Sequence, residues 1–431
     1  MAINEALRAL QTQTLLPGVK GLPLRAPLRQ DRIAEQGYDV LDGRLSYPVA
    51  VLRQSTLDHN LAWMRDFAAR AGALLAPHGK TTMSPQLFQA QLDAGAWAIT
   101  LATIPQLRVA HRFGVRRVLL ANQPVAYADI ESLAALLGED ADFQTWVLVD
   151  SSAGAARLNE VMARHAPQRR LPVLVELGLD GGRTGARGGD AALALAREVA
   201  AASHLRLAGI EGYEGLWTGA DRAADLQRVR SLLAQMLELT RRCDEAALFD
   251  GEEILISAGG SAYFDVVADA FAGLDGLSRP LRRVLRSGCY LTSDHGLYHG
   301  LQQEMRSRHG AEFRHGLQPA LELWAMVQSR PEPGLALLTL GKRDASYDVE
   351  LPRPLQWHRP GEPAPRPLRE ARIARMNDQH AYLELPPAHP LQVGDLVAVG
   401  ISHPCTTFDK WPLMLLSDDS YRIVGAINTF F

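Results

Sequence analysis

Short apolar runs alternate with amphipathic segments between about residue 72 and residue 290. Eight of the runs have the length of buried strands; they are Gly72–Pro77, Trp97–Ala102, Arg117–Ala121, Thr145–Asp150, Pro172–Leu177, Leu207–Glu211, Glu253–Ser257 and Arg283–Ser287. Segments with apolar residues at helical spacing, such as Pro85–Gly95 and Ser151–Ala166, lie between them. This alternation predicts a parallel sheet with crossover helices.

Eight such units predict an α/β fold, a closed (β/α)₈ TIM barrel. A doubly wound open sheet shows the same alternation and is the alternative, because a sequence pattern does not report closure. Beyond residue 290 the pattern changes to β runs with loops, at Leu317–Ser329, Leu335–Leu340, Ala381–Leu385, Asp395–Ile401 and Tyr421–Ala426. We therefore predict an N-terminal arm over 1–45, a barrel over 46–290 and a mainly β domain over 291–431.

A proline-rich stretch, Pro352–Pro367, interrupts the predicted β domain. Proline has a fixed φ and no backbone N–H, so it suits a central strand poorly. We interpret the stretch as a surface loop.

Composition excludes several classes of protein. The 431 residues include 45 basic and 48 acidic side chains, and the formal charge of −3 and the absence of a basic block argue against a nucleic-acid binder. No window of 18 residues lacks charge, and the N-terminus lacks the apolar centre of a signal peptide, so we expect a cytoplasmic protein with no membrane partner. Three widely spaced cysteines argue against a disulfide framework.

Lysine is rare in this chain: only Lys20, Lys80, Lys342 and Lys410 occur among the 45 basic residues. Lys80 directly follows the first predicted strand, in Pro77-His78-Gly79-Lys80-Thr81-Thr82. The carboxyl ends of barrel strands carry the active site, and an amine can form a Schiff base where a guanidinium cannot. We predict a functional amine at Lys80; the alternative is a surface lysine in a loop.

Two loops at the last predicted strands suit a phosphate group. Ser257-Ala258-Gly259-Gly260-Ser261 places two glycines at a helix start, where backbone N–H groups converge on an anion. Arg286-Ser287-Gly288-Cys289-Tyr290 follows the eighth strand and supplies the other side of the predicted cradle. An ordinary tight turn is the alternative for the glycine pair.

Two further strand ends and one motif of the β domain carry polar groups. Arg183 lies in a glycine-rich loop after the fifth strand, and Tyr213 follows the sixth. A fixed arginine can face a ring nitrogen or bind a carboxylate, whereas the alternative is a solvent arginine. In the motif Ser402-His403-Pro404-Cys405-Thr406, the side chains of His403 and Cys405 can reach one metal ion. The alternative is that the pair has a packing role only. His380 is a candidate for a further metal ligand or for an acid/base group.

Together these motifs resemble the D-serine dehydratase and D-threonine aldolase family over roughly residues 45–430. Its members are fold-type III pyridoxal phosphate enzymes, like alanine racemase, with a barrel, a β domain and a homodimeric assembly. The resemblance implies that Lys80 binds the cofactor as a Schiff base, that Arg183 faces the pyridine nitrogen and that Tyr213 lies near the ring. It further implies a phosphate site formed by Ser257, Gly259, Gly260, Gly288 and Cys289. It also implies a Zn²⁺ site formed by His403 and Cys405.

Within the family the dehydratase branch tends to have His-x-Cys where the aldolase branch has His-x-Asp, so Cys405 favours elimination. The expected activity is conversion of D-serine to pyruvate and ammonia, with D-threonine as a further substrate. The alternatives are retro-aldol cleavage of β-hydroxy D-amino acids, dehydration of 3-hydroxy-D-aspartate, and a non-catalytic pyridoxal phosphate carrier. Gly178 and Asp180 depart from the family pattern, in which an acidic residue and a glycine are common at these positions.

Overall fold

The computed structural model describes residues 5–313 and 315–431. The chain divides into two compact units. The barrel unit comprises Arg65–Lys80 and Phe88–Gly288, and the β unit comprises the chain up to Met64, Thr81–Leu87 and Cys289–Phe431.

Eight parallel strands form the sheet of the barrel unit within the described residues. They are β1 (Leu74–Leu75), β2 (Ile99–Leu101), β3 (Arg117–Leu120), β4 (Gln144–Val149), β5 (Leu171–Gly178), β6 (Leu205–Gly212), β7 (Ile254–Ala258) and β8 (Leu281–Leu285). Their order is β1-β8-β7-β6-β5-β4-β3-β2, and a two-residue strand, Ala186–Arg187, pairs with β5.

Hydrogen bonds close the sheet between its first and last strands. Trp97 N–H donates to the Leu75 carbonyl at 2.7 Å, and Thr100 N–H donates to the Pro77 carbonyl at 2.9 Å. The predicted closed barrel is thus confirmed, and the open sheet is wrong for this chain.

Helices cover the outside of these strands because their apolar faces need burial. The helices of the chain with seven or more residues, within the described part, are Glu5–Gln11, Gln54–Arg70, Pro85–Asp93, Ile104–Arg112, Tyr127–Glu139, Ser152–His165, Gly189–Ala201, Arg222–Glu245, Phe264–Ala272 and Leu297–His309. Thr103, Ser151 and Asp221 each cap a helix N-terminus by accepting a backbone N–H with the side chain.

One layer of apolar side chains fills the barrel interior. Each of the eight strand segments supplies one residue, namely Ala76, Ala98, Leu119, Leu148, Leu174, Ala208, Leu255 and Val284. Trp97 and Trp146 pack against this layer with ring centroids 4.8 Å apart. The layer forms a floor across the barrel, and polar side chains of the strands lie on both sides of it, with Arg206 and Arg282 on the side of the amino ends.

The β unit is built from antiparallel strands with one parallel pairing. Its larger strands are Val49–Arg53, Leu321–Glu332, Leu335–Leu338, Arg353–His358, Arg372–Met376, Ala381–Glu384, Leu396–Gly400, Leu413–Ser417 and Ile423–Asn428. Val49–Arg53 pairs antiparallel with Leu321–Glu332 and parallel with Leu413–Ser417. Trp324, Val51 and Leu396 are fully buried in the core of this sheet.

The proline-rich stretch is not wholly a loop, so our interpretation of Pro352–Pro367 was wrong. Arg353–His358 is a strand that pairs antiparallel with Leu396–Gly400. The register shifts between Pro354 and Gln356, and this irregularity accommodates the missing N–H of Pro354. The pattern also did not predict the strands Arg372–Met376 and Leu413–Ser417.

No helix in the described part of the chain is both long enough and apolar enough to cross a bilayer.

Gly209 on β6 offers a test of the barrel packing. A Cβ atom at this position would overlap the backbone carbonyl of Leu255 on β7. We expect Gly209→Ala to lower the free energy of unfolding by about 1–3 kcal/mol or more, measured by urea titration. Gly138→Ala is the matched control: it lies in a helix with open space around its Cα, so alanine should stabilise by about 0.5–1 kcal/mol. Equal effects of the two substitutions would contradict this account of the packing.

Candidate active site

A polar layer lies directly beyond the apolar floor of the barrel, toward the carboxyl ends of the strands. Side chains two residues apart along a strand face the same side. Six polar residues follow floor residues by two positions: they are His78, Thr100, Asp150, Glu176, Ser257 and Arg286, which follow Ala76, Ala98, Leu148, Leu174, Leu255 and Val284. The sequence period therefore directs these side chains to the barrel interior.

An irregularity in β6 adds a second carboxyl group to this layer. The pairing register with β5 shifts between Leu207 and Gly209, so Ala208 is an extra residue. Glu211 consequently pairs with Glu176 on one side and with Ser257 on the other. Without the bulge, Glu211 would face the outer helices.

A buried ion pair dominates the electrostatics of the layer. Arg286 binds Glu211 through its guanidinium, and the two side chains are 4% and 1% exposed. Arg286 also donates to the Gly212 carbonyl at 2.9 Å. Burial raises the pKa of Glu211 to about 8, Arg286 opposes the rise, and the neighbouring Glu176 and Glu214 add to it. Glu211 Oε2 and Arg286 Nε are buried without a hydrogen-bond partner, so both atoms can still accept or donate to a ligand.

His78 is a neutral imidazole in this setting. Burial lowers its pKa well below the usual range, and the positive charges of Lys80, Arg286 and Arg183 lower it further. Its Nδ1 atom is buried without a partner. Lys80 and Arg183, two predicted site residues, are thus close enough to His78 for their charges to affect its pKa.

Lys80 lies where the sequence placed it, just after β1 and half-buried in a 3₁₀ turn over Gly79–Thr81. The turn is held tightly at Gly79, where a Cβ atom would come within 2.7 Å of Phe88 and 2.8 Å of Ile99. Only glycine allows this close packing. The lysine is thereby attached to a rigid part of the barrel.

Arg183 and Tyr213 form a contact across two loops. The Arg183 guanidinium carbon lies 4.9 Å from the centre of the Tyr213 ring, which is within range of a cation–π interaction. The tyrosine ring in turn lies against Gly260, where a Cβ would approach its Cε2 atom to 2.9 Å. The structure thus brings Arg183, Tyr213 and Gly260 together.

The two loops of the predicted phosphate cradle are joined by hydrogen bonds. The Gly259 carbonyl accepts from the Arg286 N–H at 3.1 Å and from the Ser287 hydroxyl at 3.3 Å. Ser257 was expected at the phosphate site, but its hydroxyl donates to the Val284 carbonyl of the neighbouring strand at 3.2 Å. Gly288 is buried at the end of the barrel unit, and Cys289 belongs to the β unit.

An anionic group already contacts the two glycine amides. Glu214, fully buried, accepts from Gly259 N–H at 3.1 Å and from Gly260 N–H at 2.6 Å, and burial raises its pKa. The two amides are thus directed at one acceptor group, which is the arrangement that an anion at this position would use. A phosphate group that used both amides would have to displace Glu214.

In the β unit, His403 is oriented by a carboxylate. Its Nδ1 lies 2.6 Å from an Asp348 oxygen, and the second Asp348 oxygen accepts from the Thr406 hydroxyl at 2.8 Å. The Nε2 atom of His403 is left for another partner. Metal-binding histidines are commonly held in this way through the opposite nitrogen.

Cys405 lies in a small cluster with two other side chains of the β unit. Its sulfur is 3.7 Å from the sulfur of Cys289 and 3.5 Å from the hydroxyl oxygen of Thr81. The Thr81 oxygen is also 3.7 Å from the Cys289 sulfur.

The donor types of His403 and Cys405 suit zinc, which favours imidazole and thiolate and keeps open positions in catalytic sites. Over residues 5–313 and 315–431, no three His, Cys, Asp or Glu side chains converge into a ready metal cluster. His380 accordingly is not the third member of such a cluster. A metal here would complete its coordination with water or substrate, or draw another side chain toward it.

Sequence reasoning did not assign Glu176, Glu211, Glu214 or Asp348. For Glu176 and Glu211 a signal was present, because an acidic residue inside an otherwise apolar strand is unusual unless it has a buried partner. Asp348 lies 55 residues before His403, and no local pattern links the two.

Comparison with known proteins gives relatives along most of the chain. The model of a putative serine dehydratase domain matches residues 320–417. A 3-hydroxy-D-aspartate aldolase from Paracoccus denitrificans (strain Pd 1222) is 25% identical over 74% of this chain and 79% of its own length. A D-threonine aldolase from an Arthrobacter species is 24% identical over 85% of this chain and 87% of its own.

Solved structures with the same fold include two enzymes that act on D-amino acids with a β-hydroxyl group. The D-threonine aldolase from Filomicrobium marinum superposes with a TM-score of 0.72 at 24% identity, over 91% of this chain and 97% of that one. The D-threo-3-hydroxyaspartate dehydratase from Delftia sp. HT23 superposes with a TM-score of 0.71 at 20% identity, over 90% and 99%. A cysteine-to-alanine variant of such a dehydratase is described as a metal-free form.

The buried ion pair yields a prediction with a pH dependence. Removal of the cation in Arg286→Met raises the pKa of Glu211 above its present value of about 8, so the loss of stability should grow as pH rises through that value. We expect a loss of about 3–5 kcal/mol at pH 9, where the Glu211 carboxyl is ionised and paired with Arg286. The loss should be smaller at pH 6, where the raised pKa favours the protonated carboxyl and the contact with Arg286 is a hydrogen bond rather than an ion pair. Urea unfolding at both pH values measures this.

Arg282→Met is the matched control, because Arg282 lies on β8, which Arg286 directly follows, and pairs with Glu253, which is 45% exposed. It should cost about 1 kcal/mol or less at either pH. A loss for Arg286→Met that does not change between pH 6 and pH 9 would count against the buried pair.

Proposed function

Because the chain belongs to the family of D-serine dehydratases and D-threonine aldolases, with the alanine racemase-like fold, we propose that it is a pyridoxal phosphate-dependent dehydratase of β-hydroxy D-amino acids. The proposed reaction converts D-serine to pyruvate and ammonia. The named relatives are lyases of such substrates, which supports the substrate class. One observation favours elimination over retro-aldol cleavage. Cys405 lies two residues after His403, which Asp348 orients, and this His-x-Cys pattern resembles the dehydratase branch.

The polar layer fits the proposed cofactor. Pyridoxal phosphate, when bound, supplies an electron sink that makes the Cα proton of an amino acid acidic. Lys80 would attach it through its side-chain amine, and the same amine, released when substrate binds, would take up the Cα proton. The neutral His78 leaves the Lys80 amine without an adjacent imidazolium charge.

Arg183 and Tyr213 would hold the ring. A guanidinium does not give up its proton near neutral pH, so Arg183 facing the ring nitrogen would leave that nitrogen unprotonated. Tyr213, packed between Arg183 and Gly260, would support the ring from one side. Weaker electron withdrawal by an unprotonated ring makes assistance to the leaving group more important.

Phosphate binding would use the backbone N–H groups of Gly259 and Gly260, which precede the helix Phe264–Ala272, and those of Gly288 and Cys289, which follow the eighth strand. The present contact of Glu214 with the first two amides supports their affinity for anions. The Ser257 hydroxyl would not bind the phosphate, because it donates to the Val284 carbonyl; Ser257 would instead help to hold the two neighbouring strands together.

The leaving group is hydroxide, which is poorly stable without an acid or a metal. Zn²⁺, when bound, supplies a Lewis acid for the β-hydroxyl oxygen. His403 through Nε2 and Cys405 through its thiolate would hold it, with Asp348 orienting the imidazole. The proposal also includes the homodimer that the family resemblance implies.

Retro-aldol cleavage is the second candidate, because the two curated relatives described above are aldolases. The same residues would then stabilise a β-alkoxide while the Cα–Cβ bond breaks. D-threonine separates the two reactions, since elimination gives 2-oxobutanoate and cleavage gives glycine and acetaldehyde. For 3-hydroxy-D-aspartate the corresponding products are oxaloacetate with ammonia, or glycine with glyoxylate.

Lys80 is tested by covalent trapping. Borohydride reduction of the pyridoxal phosphate-loaded protein should fix the cofactor on the peptide that contains Lys80, identified by mass spectrometry. Lys80→Ala should lose this adduct and at least 10²-fold in rate, on the order of the contribution of a positioned acid or base. Lys342→Ala, which removes a half-buried lysine of the β unit, should keep both. An adduct on another lysine in the wild-type protein would exclude the assigned role.

Cys405 is tested with D-serine and L-serine as substrates. We expect pyruvate from the D-isomer alone, its formation stopped by chelator and restored by zinc. Cys405→Ala should keep the cofactor and lose on the order of 10²-fold or more of the rate, because Lewis-acid assistance is worth several kcal/mol. Full activity of the metal-depleted variant would end the zinc proposal, and a protein that takes no substrate but binds the cofactor would be a carrier.

A further inference from the structure

We propose that Cys289 is a second sulfur ligand of the metal bound by Cys405 and His403. The inference depends on the proposed function in one respect, because it takes the presence of a metal at Cys405 from it. It goes further in assigning a Cys₂His donor set, since neither the motif His403-Pro404-Cys405 nor the family model over 320–417 includes Cys289.

The distance between the two sulfurs carries the argument. Cys289 Sγ and Cys405 Sγ are 3.7 Å apart, although the residues are separated by 116 positions in sequence. Two thiolates on a tetrahedral zinc, each at about 2.3 Å, lie about 3.8 Å from each other. The observed separation therefore matches the span that one zinc ion bridges, without movement of either sulfur toward the other.

Local backbone structure fixes this separation. Cys289 begins a 3₁₀ helix over Cys289–Leu291, and its carbonyl accepts from Ser293 N–H at 2.7 Å. Cys405 begins the short helix Cys405–Phe408, in which Thr407 N–H donates to the Pro404 carbonyl at 2.9 Å. Since both cysteines lie at the starts of hydrogen-bonded turns, their sulfurs are presented by ordered backbone.

Thr81 completes the surroundings expected for two thiolates. Its hydroxyl lies 3.5 Å from the Cys405 sulfur and 3.7 Å from the Cys289 sulfur. A hydroxyl between two thiolates can donate to either, and such contacts tune the ligands of a metal. The Cys289 sulfur is not required for the predicted phosphate site, which would use the backbone N–H of the same residue.

The donor set has a chemical consequence. Two thiolates neutralise the charge of Zn²⁺, so the ion is held more firmly and is a milder Lewis acid than with one thiolate. Cys₂His with one open position is a known catalytic arrangement. His403 does not converge with the two sulfurs into a cluster of three, so its imidazole would move toward the metal on binding while Asp348 keeps its orientation.

The experiment counts sulfur ligands by spectroscopy. Full-length protein is loaded with pyridoxal phosphate and with Co²⁺ in place of zinc, under reducing conditions, and the thiolate-to-cobalt charge-transfer band is recorded. Cys289→Ala and Cys405→Ala should each lose about half of the band. In the zinc form, X-ray absorption should report two sulfurs in wild type and one in each variant, and zinc affinity should fall at least tenfold in Cys289→Ala.

Cys243→Ala is the matched control, since Cys243 is a buried cysteine on the helix Arg222–Glu245 of the barrel unit. It should leave the band, the sulfur count and the zinc affinity unchanged. Cys289→Ser is measured beside Cys289→Ala, and circular dichroism verifies folding, so that loss of the band is not confused with loss of structure.

Each result decides the inference. An unchanged band and two remaining sulfurs in folded Cys289→Ala or Cys289→Ser would overturn it, as would a Cys289–Cys405 disulfide that persists under reducing conditions. If the wild-type protein binds neither Co²⁺ nor Zn²⁺ at one ion per chain, both this inference and the zinc part of the proposed function would be overturned. Two sulfurs in wild type without pyruvate from D-serine would support the ligand assignment and reject the proposed substrate.

Discussion

The buried ion pair between Arg286 and Glu211 is the constraint on which the carboxyl end of the barrel depends. Glu176, Glu211 and Glu214 are all buried there, and Arg286 is the buried cation that binds one of them directly. Desolvated carboxylates are tolerated only when they are paired, hydrogen-bonded or protonated. Glu211 is paired with Arg286, and Glu214 accepts hydrogen bonds from two backbone amides, so the layer stabilises its carboxyl groups through several contacts rather than through a single residue.

The same principle orients groups that can bind ligands in both units. Glu214 holds the amides of Gly259 and Gly260, and Asp348 holds one nitrogen of His403. In each case a carboxylate engages one part of a polar group and fixes its direction. Such contacts orient the polar groups before a ligand arrives, which reduces the cost of ordering them on binding. A phosphate at the two amides would replace Glu214 as their acceptor.

Much of the barrel was predictable because strands and helices have different hydrophobic periods, and each period is a local property. Lys80 followed from its position after an apolar run. Glu211 did not, since its inward direction depends on the register shift after Leu207, which is created by pairing between strands. The strand Arg353–His358 was likewise hidden, because its partner Leu396–Gly400, rather than its own sequence, stabilises it.

The sequence by itself determined the alternation of strands and helices in the barrel, the lysine at the strand end, the glycine pair and the His-x-Cys motif, because each is encoded in residues that are neighbours along the chain. Closure of the barrel rests on hydrogen bonds between its first and last strands. Only the tertiary structure decided that Glu214 contacts the glycine amides, that Asp348 orients His403 and that Cys289 meets Cys405. These contacts join residues 45, 55 and 116 positions apart. Their distances are fixed by how the strands and turns pack, and no local pattern of polarity reports that packing.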